Sequence, residues 1–271
     1  MENVLKANNI SYRYTKTYCL KDFSIGFAKG EMVSIIGPNG SGKSTVLRML
    51  SRLLKPEAGM VYLEGESIHK MKDHIIAQKL TMLPQVHDHH LDMTVRDLIK
   101  NGRRPYLKWY EDYNQEHDKY VDWALEVTNL QHLQHRGLHA LSGGERQRAW
   151  IAMAIAQMPD TLLLDEPTSY LDVSHQLEVM ELLKELNRKL GMTIIIVLHD
   201  LNQAAKYSHR IIAMKNGKVV REGKPIDVYN SEFFREVFSI EAKIHLEGTQ
   251  PVFSPFGLVN ENHKKIDWSV S

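Results

Sequence analysis

The sequence has very little cysteine and no long apolar stretch. A single cysteine, Cys19, among 271 residues excludes an internal disulfide framework and fits a reducing compartment. A membrane-spanning helix needs about 20 consecutive apolar residues, and the longest uninterrupted runs, Ala149–Ala156 and Met192–Leu198, are far shorter. The first residues also lack the apolar stretch of a secretory signal. We therefore expect a chain that neither crosses a bilayer nor leaves the cytoplasm through a signal peptide.

An excess of charge of one sign is also missing. Lys and Arg total 34 against 33 Asp and Glu, so the net charge is +1. This balance gives no general electrostatic attraction to nucleic acid or to an anionic membrane. The hydrophobic share of 43% and the charged share of 25% are those of an ordinary globular protein. The length suits one large domain or two modest ones.

Short β-branched runs alternate with segments of helical period. The run Glu31–Ile36 meets a glycine-rich turn, and apolar residues then recur at helical spacing in Ser44–Leu54. Further elements are predicted at Thr161–Leu164, Ser174–Leu190 (helix), Thr193–Leu198, and a hairpin of Ile211–Met214 with Lys218–Arg221. Strands that alternate with helices predict an α/β fold with a mostly parallel sheet covered on both faces.

The middle of the chain has a different pattern. Residues from about Leu91 to Gln157 lack β-rich runs and show helical period at Thr94–Gly102, Gln115–Thr128 and Glu145–Gln157. This pattern predicts a helical insert within the α/β frame. About the last thirty residues lose clear period, and their polar end is expected to fray.

A phosphate-binding motif follows the first predicted strand. Residues Gly37–Ser44 (GPNGSGKS) match G-x-x-x-x-G-K-[ST] between a strand and a helix. Glycines let the backbone curl so that its N–H groups face one anion, and the helix N-terminus adds its positive end. Lys43 is expected to reach the terminal phosphates and Ser44 to ligate Mg²⁺. A glycine-rich turn that binds nothing is the alternative.

Two carboxylates follow another buried run. Asp165 and Glu166 come directly after Thr161–Leu164, at the carboxyl end of a predicted central strand, where open α/β sheets bind their ligands. Asp165 suits a Mg²⁺ ligand, and Glu166, which points the other way, suits a group that polarises an attacking water. Two solvated acids at a strand end are the alternative.

A third motif, LSGGERQR at Leu141–Arg148, lies directly ahead of a predicted helix. Alone it is consistent with a helix cap, with Ser142 as N-cap and Glu145 as its capping-box partner. Together with the phosphate loop and the LLLDEP segment, however, it resembles the signature of the ATP-binding-cassette (ABC) ATPases. The resemblance covers about residues 3–240. It implies a P-loop NTPase fold with a RecA-like, mostly parallel sheet core, an antiparallel β subdomain and a helical insert.

The resemblance also assigns functional residues. Gln85 in LPQ matches the Q-loop glutamine that touches Mg²⁺, His199 in VLHD matches the switch histidine at the γ-phosphate, and Asp172 in SYLD matches the D-loop acid. An aromatic residue some two dozen positions before the phosphate loop stacks on adenine in the family, which favours Tyr14, with Tyr12 and Tyr18 as rivals. The expected catalytic residues are Glu166, His199 and Lys43, and the expected Mg²⁺ ligands are Ser44, Gln85 and Asp165. The expected ATP-binding residues are Tyr14, Gly37, Pro38, Asn39, Gly40, Ser41, Gly42, Lys43, Ser44, Thr45, Gln85, Ser142, Gly143, Gly144 and Asp172.

In this family two cassettes close head to tail, so that the phosphate loop of one chain and the LSGG of the other hold the same ATP. The resemblance therefore implies an ATP-dependent homodimer with Mg²⁺ as cofactor. The implied domains are an ATP-binding core over 1–90 and 158–240, a helical subdomain over 91–157 and a C-terminal tail over 241–271.

The segments Met93–Tyr106 and Leu141–Gln157, with the sequence around His199, are most similar to the ATPases of ferric-siderophore importers of the ferrichrome type, a group that includes haem and cobalamin importers. That similarity implies a peripheral subunit at the cytoplasmic face of the cell membrane. Its partners would be two permease subunits and, indirectly, an extracellular substrate-binding protein, and no nucleic acid.

Two other classes of protein remain as alternatives. A non-transport ABC ATPase acting on ribosomes or DNA usually has two cassettes or a long coiled coil, and this chain has one phosphate loop and no sustained heptads. A regulatory module that binds ATP without turnover has no need of Glu166 and His199.

A metal site at His87, His89 and His90 is disfavoured relative to a solvated loop.

Overall fold

The computed structural model describes residues 3–85, 92–107 and 113–259. Its strands are β1 Asn3–Arg13, β2 Tyr18–Ala28, β3 Met32–Ile36, β4 Ala58–Leu63, β5 Glu66–Ser67, β6 Leu80–Leu83, β7 Thr161–Asp165, β8 Thr193–Val197, β9 Arg210–Lys215, β10 Lys218–Gly223, β11 Ile240–Glu247 and β12 Gln250–Leu258. Its helices are α1 Lys43–Leu50, α2 Asp73–Lys79, α3 Val95–Asn101, α4 Asp118–Val127, α5 Gly143–Ala156, α6 Val173–Leu190, α7 Leu201–Tyr207, α8 Pro225–Val228 and α9 Ser231–Phe238. Short 3₁₀ turns lie at Arg104–Tyr106, Gln115–His117, Gln131–Leu133 and Leu138–Ala140.

A six-stranded sheet with the order β10-β9-β3-β8-β7-β6 forms the centre of the fold. All neighbouring strands are parallel except the β9–β10 hairpin. Every residue of β3, β7 and β8 is buried, because helices or the second sheet cover both faces, as a continuous apolar run predicts. The predicted α/β fold with a mostly parallel sheet is confirmed.

The side chains of β3 pack alternately into two hydrophobic clusters, one on each face of the sheet. Met32 and Ile36 belong to the cluster that includes the helical insert, whereas Val33 and Ile35 belong to the cluster under the antiparallel sheet. Each fully buried Val or Ile side chain contributes about 1.5–3 kcal/mol. Both faces therefore fix the register of the strand that leads into the phosphate loop.

The antiparallel sheet has the order β2-β1-β4-β5. Its inner face carries Leu5, Ile10, Leu20 and Phe27, which are buried in the same cluster as Val33. Register shifts interrupt the β1–β2 pairing, and Asn9 has a φ of 48°. These irregularities break the alternation of apolar and polar residues that would reveal the strands in the sequence.

The helical insert consists of α3, α4 and α5, which pack on one another. Capping boxes begin two of these helices: Thr94 with Asp97 at α3, and Ser142 with Glu145 at α5. Each cap satisfies backbone N–H groups that have no partner within the helix. The predicted helical segments and the cap at Ser142 are therefore found in the structure.

The C-terminal region differs from the sequence-based prediction. About the last thirty residues show no clear period in the sequence and were assigned to a tail, yet β11 and β12 form an antiparallel hairpin over most of 240–258. The hairpin packs through Phe253, whose ring stacks on Phe234 of α9 with centroids 4.7 Å apart. Pro251 and Pro255 lie within β12, and prolines argue against a strand in the sequence because they are tolerated only at strand edges that need no N–H donor.

Candidate functional site

The phosphate loop connects β3 to α1. Three of its glycines have positive φ: 148° at Gly37, 75° at Gly40 and 99° at Gly42. Lys43 folds back into the loop, where its Nζ donates to the carbonyl oxygens of Gly37 (2.9 Å) and Pro38 (3.1 Å). Burial lowers the pKa of Lys43, while the negative charges of nearby carboxylates oppose the shift. The loop is therefore held as a concave turn with a cation at its centre.

A hydroxyl and a carboxylate meet beside this turn. The Ser44 hydroxyl donates to Asp165 Oδ1 at 2.9 Å. Asp165 ends β7 and is only 2% exposed, and burial raises its pKa, against the hydrogen bond from Ser44. Mg²⁺ prefers oxygen ligands and is bound through one or two carboxylates plus substrate phosphates. The Ser44 hydroxyl and the Asp165 carboxylate, with the amide oxygen of Gln85 available nearby, match that preference.

Glu166 is turned away from Asp165 and bonds a different set of groups. Its Oε1 lies 2.5 Å from His199 Nε2, and its Oε2 accepts hydrogen bonds from Gln85 Nε2 (2.6 Å) and Ser169 Oγ (3.2 Å). Glu166 has a φ of 53°. This left-handed backbone conformation is unfavourable for any residue other than glycine, and such conformations occur preferentially at functional sites. Two residues distant in sequence, Gln85 and His199, thus converge with the nearby Ser169 on one carboxylate.

Most of these groups line one cavity of about 770 Å³, and Asp165 lies behind Ser44, outside the lining. Its lining residues are Tyr14, Cys19, Asn39, Gly40, Ser41, Gly42, Lys43, Ser44, Thr45, Gln85, Glu166, Ser169, Tyr170 and His199. Tyr14 lies at the rim, 56% exposed, with its hydroxyl 3.4 Å from Thr45 Oγ1. Its rivals Tyr12 and Tyr18 are absent from the lining, and Tyr12 instead packs edge-on against Tyr14, with centroids 5.0 Å apart. The cavity has the size of a small-molecule site and lies at the carboxyl ends of parallel strands.

Comparison with known proteins identifies the family. A family model described as ABC transporter matches residues 20–169, more than half of the chain. The chain belongs to the ABC transporter family. As a cassette of this family it is an ATPase, and the resemblance predicted from its three motifs is confirmed.

Its relatives span the cassette almost from end to end. The petrobactin import ATP-binding protein FpuC of Bacillus anthracis is 51% identical over 252 residues, which is 93% of each chain. The iron(3+)-hydroxamate import ATP-binding protein FhuC of Bacillus subtilis is 42% identical over 266 residues, 97% of this chain and 98% of that protein. A solved dimeric ATP-binding cassette in a post-hydrolysis state, bound to ADP and Pi, has a TM-score of 0.71 and 33% identity over 81% of this chain and 98% of its own.

The signature segment of the cassette lies apart from the cavity. Ser142 is the N-cap of α5, and Gly143 and Gly144 are its first two residues. Asp172 is likewise the N-cap of α6. None of these residues is among those that line the cavity, so the structure does not bring them to the phosphate loop of the same chain.

Three residues that line the cavity, Cys19, Ser169 and Tyr170, were not among the expected site residues. The Cys19 sulfur lies 3.4 Å from Thr45 Oγ1 and reaches the site from β2. No local pattern marks Cys19, because its place depends on how β2 packs beside the phosphate loop. Tyr170, which the sequence analysis named only within the SYLD segment, also lines the cavity and is 95% exposed.

Two further expectations concern metals and membranes. His87, His89 and His90 lie outside the described residues. Within 3–85, 92–107 and 113–259, no three His, Cys, Asp or Glu side chains are grouped to hold a metal ion. In the same ranges, no helix combines the length and the apolar character that a bilayer span requires.

Proposed function

We propose that this cassette is the ATP-hydrolysing subunit of an importer that takes up ferric-siderophore complexes across the cytoplasmic membrane. The observation that carries the proposal is the convergence on one cavity of the phosphate loop, Glu166, and Ser44 with its hydrogen bond to Asp165. The names of the two relatives, which specify petrobactin import and iron(3+)-hydroxamate import, support an iron-chelate substrate. Neither name favours cobalamin or haem.

The phosphate loop is the proposed binding site for the phosphates of the nucleotide. Backbone N–H groups of residues 39–45 face the phosphates at the start of α1, and Lys43 adds a positive charge at the β- and γ-phosphates. Tyr14 stacks on the adenine at the rim of the cavity. Ser44, Asp165 and Gln85 would hold Mg²⁺, which would supply neutralising charge to the phosphate oxygens.

Glu166 is the proposed group that orients and deprotonates the attacking water. Its carboxylate is 12% exposed and aimed into the cavity by Gln85 and His199. A held carboxylate loses little entropy on positioning a water for in-line attack. Lys43 and His199 lie where charge develops on the transferred phosphoryl group, and fixed donors at such positions contribute much of the catalysis.

A second copy of the chain completes the site in this proposal. Ser142, Gly143 and Gly144 present backbone N–H groups at the start of α5, a helix of 14 residues, and a helix N-terminus favours an anion. Because these residues do not line their own chain's cavity, their nucleotide is that of a partner in a head-to-tail pair. Hydrolysis then removes the γ-phosphate that joins the two copies, and the pair opens.

The proposed location is the cytoplasmic face of the membrane, where two permease subunits bind the ATPase pair. An extracellular binding protein delivers the ferric chelate to those permeases. A growth test addresses this assignment: a strain deleted for the gene receives the wild-type chain or Glu166→Gln. Individual ferric hydroxamates, ferric catecholates or haem are supplied as the iron source, and cobalamin is tested separately.

We expect the wild type, and not Glu166→Gln, to restore growth on one or more ferric siderophores. Equal expression of the two chains, measured by immunoblot, controls for instability of the variant. Restoration confined to haem or to cobalamin would contradict the siderophore assignment, and equal growth with both chains would contradict a role for hydrolysis.

A further inference from the structure

A histidine that no motif contains lies against the signature glycines. A Cβ built on Gly144 would lie 2.2 Å from His175 Cδ2, 2.5 Å from its Cγ and 2.9 Å from its Nε2. The backbone of Gly144 is helical and buried, so an L-residue could adopt its conformation. Glycine is required here because the imidazole ring of His175 occupies the space that a side chain would fill.

The neighbouring glycine provides an internal comparison. A Cβ on Gly143 would meet only Leu171 Cδ2, at an ordinary contact distance of 3.8 Å. The close approach is therefore specific to the pair of Gly144 and His175.

Asp172 holds the ring of His175 in place. Its Oδ1 lies 2.8 Å from His175 Nδ1, and the same oxygen accepts the His175 backbone N–H at 3.0 Å and the Ser174 hydroxyl at 2.9 Å. These hydrogen bonds lower the pKa of Asp172 to about 2, so the carboxylate is ionised throughout the physiological range. The ring is thus anchored at one edge and in contact with the signature helix through the other.

Two more contacts extend this connection. Arg148, one turn after Gly144 on α5, forms an ion pair with Glu178, one turn after His175 on α6. On the other side of α6, Gln203 Nε2 donates to Gln176 Oε1 at 2.7 Å. Gln203 belongs to α7, the helix that directly follows the His199 segment. Packed side chains therefore link the signature turn, through α6, to the segment that contacts Glu166.

We infer that His175 is a positioning residue that fixes the signature turn of its own chain, so that Ser142, Gly143 and Gly144 can bind the nucleotide held by a second copy. The inference rests on the proposed head-to-tail dimer. Removing the ring leaves the first turn of α5 without its support from α6. Its own phosphate loop is untouched, since His175 is not among the residues that line the cavity.

The test compares variants of the full chain in a Glu166→Gln background, in which we expect ATP to stay bound because the water-activating carboxylate is removed. The substitution His175→Ala removes the ring, and Ser174→Ala is the matched control because it removes a hydrogen bond to Asp172 without touching Gly144. Light scattering during titration with Mg·ATP gives the ATP concentration at half-maximal dimerisation. Binding of a fluorescent ATP analogue, at chain concentrations too low for dimers, reports the phosphate loop alone.

For His175→Ala we expect about a tenfold or larger rise in the ATP concentration needed for dimerisation, the size of a typical coupling between contacting residues. Analogue binding by the monomer and both readouts of Ser174→Ala should stay at the parent values. His175→Phe retains a flat ring without the nitrogen that bonds Asp172, so it should shift dimerisation in the same direction by less. If the alanine variant does not fold, His175→Phe is used in its place.

The contact itself is tested without nucleotide. In the nucleotide-free chain, Gly144→Ala should lower the Tm, and adding His175→Ala should recover part of the loss, because the new methyl group then has room. Dimerisation of His175→Ala at the parent's ATP concentration, or a double variant no more stable than Gly144→Ala, would overturn the inference. A parent that does not dimerise with ATP would instead contradict the proposed function.

Discussion

Two glycines of the phosphate loop should differ sharply in their tolerance of alanine. A Cβ on Gly37 would lie 2.1 Å from the carbonyl oxygen of Met214, and Gly37 has a φ of 148°. Met214 belongs to β9, which pairs with β3 as far as Ala213 and with β10 at Met214 itself, so that carbonyl cannot move far without disturbing the central sheet. A Cβ on Gly40 meets nothing within 4 Å, and only its φ of 75° opposes substitution.

These contacts set the expected magnitudes. Gly37→Ala combines backbone strain of about 1–3 kcal/mol with overpacking of about 1–3 kcal/mol, and so should lower the free energy of unfolding by about 2–6 kcal/mol. Gly40→Ala should cost about 1–2 kcal/mol, the penalty of a left-handed alanine. Urea unfolding of the nucleotide-free variants, followed by tryptophan fluorescence, measures both. Equal losses in the two variants would refute the reasoning from the Met214 contact.

Three other predictions concern single side chains. Alkylation of Cys19, the only cysteine in the sequence, should slow about 100-fold at an ATP concentration 100 times Kd, because the thiol lines the cavity proposed to bind ATP. Mass spectrometry measures the alkylation rate, and equal rates with and without ATP would show that the nucleotide does not bind in that cavity. Ser142→Ala should lower the free energy of unfolding by about 1 kcal/mol and Ser142→Gly by only a few tenths, since the α5 cap is lost; equal urea midpoints for alanine and wild type would count against the cap. Tyr229→Phe removes a buried hydrogen bond of 2.7 Å to the Leu201 carbonyl and should cost about 1 kcal/mol, and an unchanged midpoint would show that this bond adds nothing.

Much of the candidate site could be predicted from the sequence because its residues follow buried strands. Runs such as Thr161–Leu164 are apolar along their whole length only when a parallel strand is covered on both faces. Polar residues directly after such runs, including Asp165, Glu166 and His199, must then meet at one edge of the sheet. Local sequence thus determined both the element and the direction of these side chains.

Other parts of the fold depend on contacts that no local pattern records. The alternation in β1 is interrupted by register shifts, so residues alone did not reveal the antiparallel sheet, and only the resemblance implied it. The C-terminal hairpin was not predicted because the two prolines in β12 argue against a strand there. His175 carries no sequence signal for its role, since its significance appears only when α6 is packed against Gly144.

The central claim is that ATP joins two copies of this chain through the phosphate loop of one and the signature turn of the other. Light scattering on purified Glu166→Gln, with and without Mg·ATP, tests it most directly. We predict a shift with ATP from the 31.3 kDa of one chain to twice that mass, and no shift with ADP. A Glu166→Gln chain that binds ATP and keeps the mass of a monomer would contradict the claim.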